Sequence, residues 1–304
     1  MSSPGAGRVS AVIVHYKTPD ETVQAALAVA TTAPATEIVV VDNASKDRID
    51  ERLADEVPSA HVVVEKVNRG YGAACNRGAR ETSRPFLLFL NSDATVEPGA
   101  VDALVAALES DPIAAAVGPR LSEPDGSLQP SIQRLPTPWR IFCESSGLAF
   151  LSGGRGFLRG HAASREDHDR PQSVQTLRGA ALLVRRTAFE VAGGFDESFF
   201  LYAEETDLAA RWSARGYRIL FEPAARVVHS GGASGGDALF GQLHRGLVQY
   251  AARHHGRVAA RFAAVVLRLG AAGRYAAAMA TPGERGRVRR ARYRAALSRA
   301  APRA

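Results

Sequence analysis

The stretch Arg84-Pro85-Phe86-Leu87-Leu88-Phe89-Leu90-Asn91-Ser92-Asp93 decides the fold class. Five consecutive apolar residues between a proline and an asparagine are too few for a buried helix and read as a strand covered on both faces. An acid, Asp93, then stands at the carboxyl end of that strand. In open α/β sheets ligands bind at the carboxyl ends, because the strand stops there and its loops leave a crevice. A carboxylate held there by a rigid strand can carry a divalent cation, and the cation can carry phosphates. The other reading of Asn91-Ser92-Asp93 is a turn leading into a helix that opens at Glu97-Pro98-Gly99.

Toward the N-terminus the same kind of strand recurs. Val9-Ser10-Ala11-Val12-Ile13-Val14-His15-Tyr16, Glu37-Ile38-Val39-Val40-Val41-Asp42-Asn43 and His61-Val62-Val63-Val64 are apolar runs, with helical patterns over 19–30 and 46–56 between them. A small-residue loop, Asn68-Arg69-Gly70-Tyr71-Gly72-Ala73-Ala74-Cys75-Asn76-Arg77-Gly78, runs into a further helix. Apolar strands separated by helices argue for a parallel, doubly wound sheet and a nucleotide-binding protein. The turn after the first strand, His15-Tyr16-Lys17-Thr18-Pro19, holds no glycine. A dinucleotide fold needs a Gly-rich turn there, and no Walker loop occurs either, so nicotinamide, flavin and P-loop chemistry are disfavoured.

A chain of 304 residues with 46% hydrophobic content can bury a large core. Cys75 and Cys143 are far apart and match no metal or redox spacing, which points to a reducing compartment. Val9–Val14 is too short for a signal or a membrane span, and no basic segment precedes it, so a cytosolic protein is expected. The charge is unevenly placed. Residues 236–304 hold fourteen Arg against Asp237 and Glu284, a surplus of +12; with +7 overall, residues 1–235 carry −5. A mildly acidic body and a strongly basic tail imply different partners.

The second half of the body begins with a loop-rich region, 112–175, containing Pro112, Pro119, Pro124, Pro130, Pro136 and Pro138. Its polar part, 152–171, is expected to be a mobile loop or lid. Leu177–Arg186 reads as a strand and Ala188–Val191 as a short helix. Glu204, Glu205 and Asp207 open a helix that runs to about Arg215 and stops at Gly216. Acids in a first turn suit the macrodipole, and Asp207 can pair with Arg211. Glu204 and Asp207 share a face while Glu205 points about 100° away, so the three cannot serve one group. Two more strands follow, Tyr217–Phe221 and one from Ala225 to His229, the latter ending before glycines.

The tail starts with a helical stretch, Ala238–His255, with Leu239, Leu243, Leu247 and Tyr250 near one face. After Gly256, Val258, Phe262, Val265, Val266 and Leu269 recur at helical spacing with Arg257, Arg261 and Arg268 beside them. Such a basic amphipathic helix lies on an anionic membrane surface or packs against the body. Residues 281–304 are expected to be disordered.

Four segments in order carry a resemblance: Val12-Ile13-Val14-His15-Tyr16; Val40-Val41-Asp42-Asn43-Ala44-Ser45; Asn68-Arg69-Gly70-Tyr71-Gly72 with Asn76-Arg77-Gly78; and Leu90-Asn91-Ser92-Asp93. They resemble the successive nucleotide-sugar motifs of family 2 glycosyltransferases of the GT-A fold, nearest to the bacterial rhamnosyltransferase-like branch, over roughly residues 8–255. The resemblance implies an α/β GT-A fold, Rossmann-like, with a mostly parallel sheet flanked by helices. Its catalytic domain would span 8–235, with a basic helical extension over 236–304.

The resemblance assigns donor binding to His15, Tyr16, Asp42, Asn43, Asn68, Gly70, Tyr71, Asn76, Asn91, Ser92, Arg178 and Gly179. Asp42 would contact the base or ribose, with His15 and Tyr16 lining the base pocket. Asp93 matches the last acid of the family's Asp-x-Asp motif, Asn91 stands in place of the first, and His229 would complete a site for Mg²⁺ or Mn²⁺. The family's acidic pair is here Glu204-Glu205, which puts Glu205 at the general-base position, with Glu204 the fallback and Asp207 beyond it. The implied reaction is inverting transfer of a sugar from a dTDP- or UDP-sugar, rhamnose from dTDP-rhamnose first, to a hydroxyl of a glycan or polyprenyl-linked acceptor in cell-wall or polysaccharide synthesis. That places the protein in the cytoplasm, peripheral on the inner face of the cell membrane, with no specific nucleic acid. The residues leave two rivals. One is a catalytically inactive nucleotide-sugar-binding scaffold, suggested by Glu at 205. The other is a nucleic-acid binder using the Arg tail, against which the acidic body counts.

Overall fold

The computed structural model describes residues 5–153, 156–162, 168–231 and 236–299. Much of the polar 152–171 loop, residues 154–155 and 163–167, lies outside the described residues. The strands are β1 (Val9–His15), β2 (Glu37–Asp42), β3 (Ala60–Val64), β4 (Phe86–Asn91), β5 (Ala94–Val96), β6 (Ala114–Ser122), β7 (Leu128–Gln129), β8 (Ile132–Gln133), β9 (Gln172–Val174), β10 (Thr176–Leu177), β11 (Ala181–Arg185) and β12 (Arg218–His229). The helices are α1 (Pro19–Thr32), α2 (Ile49–Glu56), α3 (Tyr71–Arg80), α4 (Ala100–Ser110), α5 (Pro138–Ser146), α6 (Leu148–Leu151), α7 (Arg186–Val191), α8 (Glu204–Ser213), α9 (Gly236–Met279) and α10 (Gly283–Arg299). They form two compact units. The first comprises 1–133, 163–198 and 205–234, the second 134–162, 199–204 and 235–304.

The first unit is built on a sheet of order β3-β2-β1-β4-β11-β6-β12-β5, with β7 on β6 and β9 on β12. All five apolar residues of β4 are buried, as a strand covered on both faces requires. Phe89 packs against Phe189 of α7 and Phe195, ring centres 5.1 and 5.0 Å away. Helix α3 lies close on β1: a Cβ at Gly78 would stand 2.4 Å from Val12 Cγ1.

The sheet is mixed, not wholly parallel. β3, β2, β1 and β4 run parallel, and β6 runs parallel to β12, but β11 is antiparallel to both β4 and β6, and β5 to β12. A strand buried on both faces has no directional signature, so its pattern could not reveal the reversal at β11. Two further differences have local causes. β6 lies in the region that reads as loop, because Ala114-Ala115-Ala116 and Gly118-Pro119 are poor strand formers; it is held by burial between β11 and β12. The two last strands are one, β12, whose register shifts between Glu222 and Arg226, where Pro223 withholds an N–H from the ladder.

The second unit contains α5, α6, α9 and α10. Helix α9 breaks at Gly256, whose φ of 86° and ψ of 174° are non-helical. Leu247 and Ala251 before the break, Ala263 and Leu267 after it, and Ile141 of α5 form its core. Ser145 Oγ donates to Val266 O at 2.9 Å, and Arg274 to Glu144 O at 2.8 Å. Residues 283–299, expected to be disordered, are helical instead: Ala and Arg are strong helix formers, Ala296 is buried, and Arg290 donates to Ala278 O. The stripe Val258, Phe262, Val265 and Leu269 on α9 is exposed by 81, 43, 55 and 67%. The segment Phe240–Met279 is long and apolar enough to cross a membrane by length and composition alone.

Candidate active site

Register brings the marked residues to one edge of the first unit's sheet. His15 pairs with Asp42 and Val14 with Asn91, so β1, β2 and β4 end nearly level. β11 starts at that edge, Ala181 opposite Leu90, and Asn91 N–H donates to Ala180 O at 2.9 Å. Arg178 and Gly179 are therefore delivered beside the carboxyl end of β4. On the far strand, His229 pairs with Ala94, next to Asp93.

Asp93 Oδ1 lies 3.2 Å from His229 Nε2, both side chains nearly buried, and Asn91 Nδ2 lies 3.4 Å from the same nitrogen. The other ring nitrogen settles the tautomer. Gln129 Nε2 donates to Glu123 Oε1 at 2.7 Å and to His229 O at 3.2 Å, which leaves Gln129 Oε1 to accept from His229 Nδ1 at 2.7 Å. Turning the amide over would set its oxygen against a carboxylate and a carbonyl. Nδ1 thus carries a proton, and Nε2 faces the Asp93 carboxylate. A hydrogen-bonded Nδ1–H that turns Nε2 toward the site is how proteins present histidine to a metal. Among the described residues no group of three or more His, Cys, Asp and Glu side chains could hold a metal; Asp93 and His229 together would offer two donors. That fits a hard cation that completes its shell with phosphate oxygens and water.

The loops after β1 and β2 are locked together. Asp42 Oδ1 accepts the Ser45 N–H at 2.8 Å, an Asx turn closing the strand, and Ser45 Oγ accepts the Lys17 N–H at 2.8 Å. Thr18 Oγ1 donates to Ser92 Oγ at 2.9 Å, tying the first turn to the Asn91-Ser92-Asp93 segment. Asn43 Nδ2 donates to Asn68 Oδ1 and Gly70 O, and Asn68 Oδ1 also receives the Gly70 N–H. Gly70, with φ of 96°, starts α3, whose first residue is the half-buried Tyr71. Lys17, Ala44, Lys46 and Arg48 all have φ between 56 and 67°, a cluster of left-handed non-glycine residues. Each costs on the order of 1 kcal/mol, and such strain gathers at binding sites. Tyr16 is half-buried, with Lys17 Nζ 5.1 Å from its ring centre.

Two of the assigned donor residues are turned inward. His15 is fully buried. Its Nδ1 lies 2.8 Å from Thr22 Oγ1, and its Nε2 lies 2.9 Å from Asp47 Oδ1. Its polar atoms are occupied within the loops, and it is the partly exposed Asp47 that faces outward. Asn76 likewise holds both the N–H and the carbonyl of Phe195 and reaches Glu197 Oε1, fixing the Gly193–Glu197 loop.

The three acids at the start of α8 separate. Asp207 is completely buried in an ion pair with Arg211, 2.7 Å, the pairing the i, i+4 spacing allows. Glu204 is buried as well. Glu205 is half-buried and lies against Gly179, where a Cβ would stand 3.3 Å from Glu205 Cγ. Burial pushes the Glu205 carboxyl above the ordinary glutamate range, and the Arg178 charge opposes this. Among the described residues Arg178 Nε is buried without a hydrogen-bond partner, an open donor beside the acid that suits a phosphate oxygen. Gln129, Glu123 and Asp47 were not legible as site residues. Gln129 meets His229 across 100 positions, and no local spacing encodes such a contact.

Comparison with known proteins bears on the family and the fold. Residues 10–191 match the model of the family described as Glycosyl transferase family 2. The N-acetylglucosaminyl-diphospho-decaprenol L-rhamnosyltransferase of Mycobacterium tuberculosis is 32% identical over 216 residues, 67% of this chain and 69% of that protein. Among solved structures, the mannosyltransferase PcManGT of Pyrobaculum calidifontis, in complex with GDP-Man and Mn²⁺, aligns with a TM-score of 0.57 at 18% identity, covering 96% of this chain and 84% of that one. GalNAc-T7 with UDP, GalNAc and Mn²⁺ aligns with a TM-score of 0.56 at 17% identity, covering 80% and 47%. The chain belongs to glycosyl transferase family 2 and is a glycosyltransferase of the GT-A fold.

Proposed function

We propose that the protein is an inverting transferase that moves a sugar, rhamnose from dTDP-rhamnose first among candidates, to a hydroxyl of a polyprenyl-linked glycan acceptor in cell-envelope polysaccharide synthesis. The 3.2 Å approach of Asp93 to His229 at the carboxyl edge of the sheet carries this reading. These two residues would hold Mg²⁺ or Mn²⁺, whose charge offsets that developing on the leaving diphosphate. The strained, hydrogen-bonded loops around Asp42, Asn43, Asn68 and Gly70 hold the nucleoside, with Tyr16 and Tyr71 at their margins. Arg178 offers its unpartnered N–H to the diphosphate.

Glu205 takes the acceptor's hydroxyl proton as its oxygen bonds to the anomeric carbon, while the bond from that carbon to the diphosphate oxygen breaks on the opposite face. A raised carboxyl pKa makes Glu205 a better base near neutral pH, and a single displacement inverts the centre. The relative's acceptor name, a diphospho-decaprenol, and the exposed apolar stripe of α9 beside Arg257, Arg261 and Arg268 support work at an anionic membrane surface.

Thermal-shift measurements with dTDP-, UDP- and GDP-sugars, with and without Mn²⁺, test the donor and the metal together. One sugar nucleotide should raise the melting temperature selectively, more so with Mn²⁺, and Asp93→Ala should lose the metal-dependent part. A chain that responds to none of them is not this transferase, and a product that retains the donor's anomeric configuration rules out the single displacement.

A further inference from the structure

Ser131 and Arg178 face each other across a short ladder in the first unit. β8 and β10 run antiparallel with Ile132 opposite Leu177 and Gln133 opposite Thr176, so the next pair is Ser131 with Arg178. The Arg178 N–H donates to Ser131 O at 2.9 Å. The Ser131 N–H, which would return that bond in a regular ladder, donates instead to His168 Nε2 at 3.1 Å, and this fixes the Ser131 backbone. Directly opposed residues of an antiparallel pair send their side chains to the same face, with Cβ atoms about 4.5–5.5 Å apart. Ile132 and Leu177, both buried, take the other face.

The face that Ser131 and Arg178 share is polar. Among the described residues neither Ser131 Oγ nor Arg178 Nε has a hydrogen-bond partner, although both atoms are buried, and Ser131 as a whole is 1% exposed. A buried donor left unpaired is costly, and a single acceptor oxygen that meets both removes the cost twice. The pair is also tied to the rest of the site. Gly179, next to Arg178, packs on Glu205, and two positions before Ser131 stands Gln129, the residue that holds His229.

We infer that Ser131 Oγ and Arg178 Nε together bind one oxygen of the donor's β-phosphate. A non-bridging phosphate oxygen accepts from a hydroxyl and a guanidinium N–H at once. The β-phosphate bears the oxygen that leaves the anomeric carbon, and Glu205, beside Arg178, acts at the reaction of that carbon. The inference rests on the transferase reading above and adds Ser131, a residue to which that reading gives no role. Arg178 is half-buried, so its side chain can turn to admit the phosphate while Ser131 stays anchored through its backbone.

Calorimetric titration of the full chain in EDTA with dTDP, UDP and GDP, each against its monophosphate, tests this. For the nucleotide that binds, Ser131→Ala should weaken the diphosphate about 10- to 100-fold, the worth of a hydrogen bond to a charged group, and leave the monophosphate as in the wild-type chain. Arg178→Lys, which keeps the charge and loses the Nε–H, should do the same. Ser131→Ala should also raise the melting temperature of the unliganded chain, because the unpaired hydroxyl it removes destabilises the fold, whereas loss of a structural hydroxyl would lower it. A lower melting temperature, an unchanged diphosphate affinity, or equal losses of mono- and diphosphate overturn the inference. A Ser131→Ala loss confined to farnesyl diphosphate does so too, and gives the pair to the acceptor's diphosphate. A wild-type chain that binds none of the three nucleotides strikes the transferase reading itself; one that binds a diphosphate equally well with and without the Ser131 hydroxyl strikes this inference alone.

Discussion

Glu205 combines a carboxyl raised by burial with an arginine that pulls the other way, and each influence can be removed. The acid limb of the kcat/KM profile should lie above the ordinary glutamate range. The Arg178 charge lowers the Glu205 pKa, so Arg178→Met should move that limb higher; a limb that stays fixed would detach Arg178 from the base. Glu205→Gln should cost about 10²- to 10⁴-fold in turnover, the usual worth of a positioned base, with donor binding retained. Stability should respond in the opposite sense. A raised folded-state pKa favours the protonated form, so this residue's contribution is present at low pH and lost as pH rises through the folded value. Glu205→Gln should therefore raise the melting temperature at neutral pH and not below the acid limb. Gln129 belongs to the same scale: Gln129→Leu removes the acceptor that fixes the His229 tautomer and should weaken Mn²⁺ affinity, read by paramagnetic relaxation, about 10- to 100-fold. The pairing of Asp93 with His229 is implied by the family resemblance, since the residues alone leave Asp93 open to a turn and give His229 no role. That Asp207 and Asn76 spend their polar atoms internally is not legible in sequence, because their use is fixed by Arg211 and by the distant Phe195 loop.

At the scale of elements, legibility follows how locally each one is determined. β4 and β1 announce themselves because their apolar runs match the strand they form. β6 does not, since its alanines and Gly118-Pro119 become a strand only between two neighbours that supply the pairing. The reversal of β11 is invisible for the same reason, and α10 was hidden by its charge. The packing of α3 on β1 gives a quantitative test. Any side chain at Gly78 would set its Cβ 2.4 Å from Val12 Cγ1 and 3.1 Å from Val41 Cγ2, both on rigid strands. Gly78→Ala should lose about 1–3 kcal/mol, the usual cost of overpacking, measured as a lower urea midpoint at unchanged slope. Val12→Ala removes the clashing methyl, so the double variant should be more stable than the sum of the single effects predicts. Strict additivity would mean that the helix moves aside instead.

For the whole molecule, the decisive property is the split of charge, +12 on residues 236–304 and −5 on the rest, set beside an apolar stripe left open to solvent. The sequence alone left two roles for Val258, Phe262, Val265 and Leu269: packing inward or facing a membrane. Ala263 and Leu267, on the opposite side of the same helix, take the core positions, and the stripe with its arginines stays outside. Each arginine near an anionic surface contributes about 1 kcal/mol, a term that salt screens within a Debye length, whereas insertion of the apolar stripe is nearly salt-independent. The full chain should therefore sediment with phosphatidylglycerol vesicles more than with phosphatidylcholine vesicles, and the difference should shrink as NaCl rises. Val258→Ser, Val265→Ser and Leu269→Ser together should abolish retention at high salt first, because only the electrostatic part survives in that variant. Transfer to a short-chain, water-soluble acceptor should be unchanged. A wild-type chain that stays in the supernatant whatever the lipid and salt would return the stripe to some other partner and remove the membrane from the functional reading.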